Sequence, residues 1–133
     1  MSDGTNDEAS DGTGDDTDAP WLLEIRLFTV KPGAREEFHR VSRDGTIPLM
    51  RDCGITVVAH GPSLNDEDGY YLLRAFRSEQ ERVELSQSVY ATDVWLRKYD
   101  DVVPEMMTDH RTSVLPVPRP ALEEFARNLA AVG

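Results

Sequence analysis

A chain of 133 residues is long enough for one domain with a modest core, and its formal charge of −11 leaves no clustered basic face of the kind nucleic acid demands. The same charge disfavours anionic membrane surfaces, and no apolar run approaches the roughly 18 residues of a membrane span. Cys53 is the single cysteine, which excludes an internal disulfide and a thiolate metal cluster within one chain.

The charge is uneven. Residues 1–20 carry seven acids and no base, which leaves 18 acids against 14 bases in the remainder. This opening stretch is Asp, Gly, Thr, Ser and Asn without apolar periodicity, and it cannot bury enough surface to offset the entropy of ordering. A disordered acidic tail over 1–20 is expected. It has neither a basic start nor an apolar segment, so no secretory signal is read and the cytoplasm is the expected location.

Trp21 to Val30 is rich in strand formers and is stopped by Lys31-Pro32-Gly33. Ala34 to about Arg43 follows as a helix with Phe38 and Val41 one turn apart. Gly45 is expected to break it, and Ile47-Pro48-Leu49-Met50 to restart a short helical turn before Gly54. Ile55 to Gly61 reads as a second strand, Pro62 to Gly69 as a polar turn, and Tyr70 to Phe76 as a third strand hairpin-paired with the second. Ser78 with Glu81 forms a capping box for a helix that carries Val83 and Leu85 inward and runs to about Val89.

A second short helix, from Thr92 or Asp93 to Val103, sets Trp95, Leu96, Tyr99 and Val102 near helical spacing. Thr112 to Val117 is a fourth strand. Pro120 introduces a last amphipathic helix over Glu123 to Val132, with Leu122, Phe125, Leu129 and Val132 on one stripe. The order is βαββαβ with one extra short helix, the ferredoxin-like α+β pattern of an antiparallel sheet with helices on one face.

The strands do not alternate as a half-solvated sheet should. In the first, Leu23, Ile25 and Leu27 are apolar, while the other face runs Glu24, Arg26, Phe28, Val30. The third repeats this, with Tyr71, Leu73 and Ala75 backed by Tyr70, Leu72, Arg74 and Phe76. Two covered faces with one helical layer imply a second cover, and an isologous homodimer is the expected one.

The run Glu24 to Gly33 resembles the opening signature of the NIPSNAP family, within the dimeric α/β-barrel superfamily. Gly45-Thr46-Ile47-Pro48-Leu49 followed by Gly54-Ile55, Leu73 to Ser78, and Asp93-Val94-Trp95 match that family in order and spacing, so the resemblance spans about 22–116. The acidic tail and a helical extension over 117–133 fall outside it. The resemblance implies a dimeric α/β barrel with a small-molecule cleft between sheet and helices. Its superfamily holds cofactor-independent monooxygenases, cyclases, isomerases and haem-handling proteins, and the NIPSNAP family itself mostly lacks a defined activity.

By that resemblance the face of Val30 lines the cleft, which brings Glu24, Arg26, Phe28, Leu72 and Arg74 there, with His60 and Val58 from the second strand. Phe38 and Trp95 would roof it, and Asp93, first of all a helix N-cap, is a secondary acid at its rim. Buried charges are costly unless paired. One reading makes Glu24 and Arg26 a structural pair, with Arg74 reaching solvent along its stem. In the other, Arg26 and Arg74 grip a carboxylate, phenolate or enolate, and His60 or Glu24 is the general base.

His39 is expected on the outside of its helix, and His110 near the start of the fourth strand is ambiguous. The three histidines have no metal-ligand spacing, so no metal and no cofactor are expected, haem being conceivable only through the superfamily. The expected partners are a twin chain and a small molecule, either turned over as an aromatic or polyketide-like acid or bound without catalysis.

Overall fold

The computed structural model describes residues 19–132, so the acidic-tail expectation lies almost wholly outside the described residues. The elements are β1 (Trp21–Val30), α1 (Arg35–Val41), α2 (Ile47–Asp52), β2 (Thr56–Pro62), β3 (Gly69–Phe76), α3 (Glu79–Tyr90), α4 (Val102–Met106), β4 (Met107–Val117) and α5 (Arg119–Val132). The strands form one antiparallel sheet in the order β2-β3-β1-β4. This is the ferredoxin-like α+β arrangement: the β1–α1–β2 unit leaves a gap that β3 fills by hairpin return, and β4 closes the free edge of β1. β4 begins five residues earlier than expected, at Met107, because it pairs with nearly the whole of β1.

Two wide helical turns change the sequence-based picture. The chain does not break at Gly45: Ser42–Thr46 is a π-helical turn that carries α1 directly into α2. Glycine stands there for another reason, since any Cβ would overlap the Tyr99 hydroxyl. A second π turn, Trp95–Tyr99, precedes α4, with the Asp100 amide donating to the Trp95 carbonyl at 2.8 Å. Such a turn inserts extra backbone into the helical repeat. The inward positions therefore shift, so that Trp95 and Val103 are buried while Leu96 and Val102, grouped with Trp95 by helical spacing, are exposed.

In α3 the Ser78 hydroxyl accepts from the Glu81 amide at 3.1 Å, and the Glu81 carboxylate turns back to the Arg77 amide at 2.8 Å. The inward stripe of this helix is half-buried Arg82, Leu85 and Ser86 with buried Val89; Val83, expected inside, is exposed.

The main core lies between the helices and the face of β1 that bears Phe28 and Val30, with Phe38, Ile47, Leu72 and Phe76 at its centre. The opposite face has its own cluster, in which Leu122 of α5 packs on Leu23 and Ala75. The expectation that only a twin molecule would cover this face is corrected at that end, because α5 folds back onto its own sheet. Away from α5 the face is open: Leu27, toward the other end of β1, is 53% exposed, and Leu115, across from Leu23 on the β4 edge, 37%. Phe125 on the α5 stripe is also exposed, and the side chain of Val132 lies outside the described residues.

Candidate functional site

Strand register arranges the helix-side residues in rows. One row runs Val57, Arg74, Glu24, Val114; the next His60, Leu72, Arg26, Thr112; the third Pro62, Tyr70, Phe28, His110. Adjacent rows lie two residues apart along a strand, roughly 7 Å. Glu24, Arg26, Phe28, Leu72, Arg74 and His60 thus share the face expected of them. Val58 does not. The register of β2 shifts between Val57 and Ala59, and Val58 packs with the Leu23–Leu122 cluster on the far side.

A cavity of about 190 Å³ lies over the second and third rows. Its floor is Arg26, Phe28, Leu72 and Tyr70, and its roof includes Phe38, Trp95 and Val103. Both π turns face it, one supplying Ser42 and Thr46 and the other Trp95. Phe28, Phe38 and Tyr70 form an aromatic run with centroids 5.8 and 5.1 Å apart, the second contact edge-on. Trp95 is fixed by its indole N–H donating to Asp100 at 3.1 Å and by an edge contact with Tyr90 at 4.9 Å. The lining is mostly apolar, and Arg26 is its one charged group.

Arg26 is half-buried, with its guanidinium 5.2 Å from the centre of the Phe28 ring. Among the described residues it makes no ion pair, which overturns the expected Glu24–Arg26 pairing. Glu24 pairs instead with Arg74, whose Nε and Nη2 donate to the two carboxylate oxygens at 2.6 and 3.1 Å. Arg82 of α3 adds a third donor at 2.9 Å, and Arg74 also donates to Ser86 at 3.0 Å. Both members of the pair are sealed, with Glu24 1% and Arg74 2% exposed, so Arg74 does not reach solvent.

Burial works to raise the Glu24 pKa. The hydrogen bonds and charge of Arg74, the hydrogen bond of Arg82 and the charge of Arg26 outweigh it and hold the carboxyl below its ordinary range. A carboxylate so held is a poor general base, and that role falls away. Arg82 went unnoticed in the sequence because its helix reads as charged all round; an arginine three and four residues from Leu85 and Ser86 was the available signal.

His60 does not reach the cavity directly. Its Nδ1 lies 2.8 Å from the Tyr70 hydroxyl, and so does Nδ1 of His39, which was expected on the outside of its helix. Burial first, then the charges of His39 and Arg51, push the His60 pKa down. Burial pushes Tyr70 up to about 12. Asp93 is exposed and pairs with Arg97 at 3.4 Å; the helix is capped by Thr92, whose hydroxyl accepts from the Trp95 amide at 3.1 Å. His110 is exposed on β4. Among the described residues no three His, Cys, Asp or Glu side chains are grouped to hold a metal, and no helix is long and apolar enough to cross a membrane.

The fold is shared by known structures. The fold is similar to a NIPSNAP-like domain protein from Burkholderia xenovorans (TM-score 0.67, 12% identity, covering 77% of this chain and 98% of that one). It is equally similar to a NIPSNAP family protein of unknown function from Agrobacterium tumefaciens (TM-score 0.67, 20% identity, 76% and 91%). A putative antibiotic biosynthesis monooxygenase from Nitrosomonas europaea matches at TM-score 0.60 and 17% identity, over 77% and 94%. No family model and no curated protein matches the chain. The chain is a ferredoxin-like α+β domain. Within that class its fold is the one seen in NIPSNAP family structures.

Proposed function

We propose that the chain is a small-molecule-binding, NIPSNAP-like homodimer whose ligand is a compact aromatic or similarly apolar acid held in the cavity over Arg26. The observation that carries this reading is Arg26 itself: a half-buried guanidinium with no ion pair among the described residues, the one charged group in a mostly apolar wall. A guanidinium matches a carboxylate, phenolate or enolate with two parallel hydrogen bonds. An apolar cavity of ~150 Å³ already admits benzene, so this one suits a single substituted ring. The binding unit is the 21–116 domain, with 117–133 as an added cover on its second face. The dimer rests on the part of that face left open by α5, where Leu27 and, on the β4 edge, Leu115 would bury against a twin.

A second reading adds catalysis without a cofactor, of the isomerase, cyclase or monooxygenase kind. The Tyr70–His60 contact beside the cavity favours it. The engagement of Glu24 and Arg74 with each other weighs against a large charged catalytic set and toward binding alone.

Calorimetric titration with 4-ethylbenzoate and its neutral analogue 4-ethylbenzyl alcohol tests the binding reading. The acid is expected to bind at least tenfold more tightly, about 1.4 kcal/mol. Absence of heat with both compounds removes the cavity as a site. Sedimentation at micromolar concentration is expected to give a dimer that Leu27→Asp dissociates; a monomeric wild type removes the homodimer.

A further inference from the structure

The Tyr70 hydroxyl has one proton to donate and two lone pairs to accept with. Two imidazole Nδ1 atoms lie 2.8 Å from it, and both cannot accept. One ring must accept the phenolic proton and carry its own proton on Nε2. The other must carry its proton on Nδ1 and donate it to Tyr70. Satisfying a buried hydroxyl takes a single partner, so a second inward-turned imidazole exceeds what packing requires. Ser42, a buried residue of the cavity wall, is a further polar neighbour of Tyr70. On the other side His39 lines an open cleft with Gly33, Arg35 and Pro62. Ser42 and His39 lie one turn apart on the same helical run, so one segment spans from the cavity to that cleft.

We propose that Ser42, Tyr70 and His39 form a proton relay from the cavity to solvent, with His60 holding Tyr70 in register as an Nδ1–H donor. It deepens the binding reading, on which it rests, by adding the proton chemistry of a ligand that ionises once bound. The ligand's acidic proton passes to Ser42 Oγ as the Ser42 proton moves to Tyr70 Oη and the Tyr70 proton to His39 Nδ1. His39 then releases its Nε2 proton to water in the cleft. The ligand is left as an anion opposite Arg26. No electrons change hands, and tyrosinate never accumulates.

The charged groups facing the relay are Arg43 near Tyr70, Arg51 near His60, Asp44 near His39, and Arg35, Glu36, Glu67 and Asp68 in the cleft that His39 lines, with Tyr71 as a further titratable neighbour. The depressed basicity of His60 accords with a neutral ring in the donor role.

Nitrogen-15 NMR of histidine-labelled full-length protein tests the assignment. At neutral pH, His60 is expected to carry its proton on Nδ1 and His39 on Nε2, and Tyr70→Phe is expected to return His60 to the common Nε2–H form. Saturation with 4-nitrophenol, whose binding is followed by its own absorbance, is expected to shift both His39 nitrogens. Ser42→Ala should abolish that shift while leaving the tautomers unchanged, and it stands in if Tyr70→Phe does not fold. Two Nε2–H rings in the wild type overturn the relay. So does bound 4-nitrophenol that leaves His39 unmoved. If 4-nitrophenol shows no binding, the cavity reading fails, and the tautomers still decide the hydrogen-bond arrangement by themselves.

Discussion

Two neighbouring rows of one sheet face carry arginine to opposite ends. In the first, Arg74 and Glu24 stand opposite each other on β3 and β1, and every strong donor aimed at the carboxylate is matched. In the second, two residues along β1, Arg26 stands opposite Leu72 and meets an aromatic ring instead of an acid. Desolvation acts on both guanidiniums. What separates them is the residue across the ladder: a carboxylate turns an arginine into structure, and a leucine leaves it available to a ligand.

The largest effect that separates the rows is expected from Glu24→Gln. It leaves Arg74 buried without its counter-ion and Arg82 without its inner partner, and removal of one member of a buried pair costs about 3–5 kcal/mol. Urea unfolding of the variant checks this; a loss under about 1 kcal/mol would mean that the pair is far wetter than its exposure implies. By contrast, Arg26→Gln removes no ion pair and is expected to change stability by less than about 1 kcal/mol. Its effect falls on binding, since a charge-assisted hydrogen bond contributes about 1.5–3 kcal/mol. The affinity for 4-ethylbenzoate is expected to drop roughly 10- to 100-fold, while that for 4-ethylbenzyl alcohol stays. If both ligands weaken equally, Arg26 shapes the cavity and does not read charge.

Strand parity was readable from residue types alone, because alternation with period two assigns Leu23, Ile25 and Leu27 to one face and Glu24, Arg26 and Phe28 to the other. That Glu24 would choose Arg74 over Arg26 depends on the register of β1 against β3, for which single residues carry no mark. Val58 was misplaced because a bulge adds one residue and inverts the parity beyond it. The exposure of Val102 and burial of Val103 have the analogous cause in a helix, where a π turn shifts the repeat that grouped Val102 with Trp95. His39 and Tyr70 looked ordinary, an exposed helix residue and a core aromatic. Only the packing of α1 on β3 turns the imidazole toward the phenol.

The finest test of the contrast is the outer member of the closed row. Arg82 lies 24% exposed and divides itself between Glu24 and Glu79. Arg82→Gln leaves the two-pronged Arg74 contact in place, so the loss at neutral pH is expected to be only about 1 kcal/mol. The acid limb is more telling. Glu24 has its pKa lowered by folding, so its contribution is full above the ordinary value of 4.5 and is lost as pH falls through the folded value. With Arg82 removed, one of the lowering influences disappears and the folded value moves back toward 4.5, so the variant has less Glu24 stabilisation to lose and its loss is complete at a higher pH than in the wild type. Urea midpoints measured from neutral pH down to pH 3 should therefore run parallel for the two proteins, the variant lower, and then converge below about 4.5 as the wild type loses more. An offset that stays constant down to pH 3 would show that Arg74 alone sets the Glu24 charge and that the third donor does not shift it.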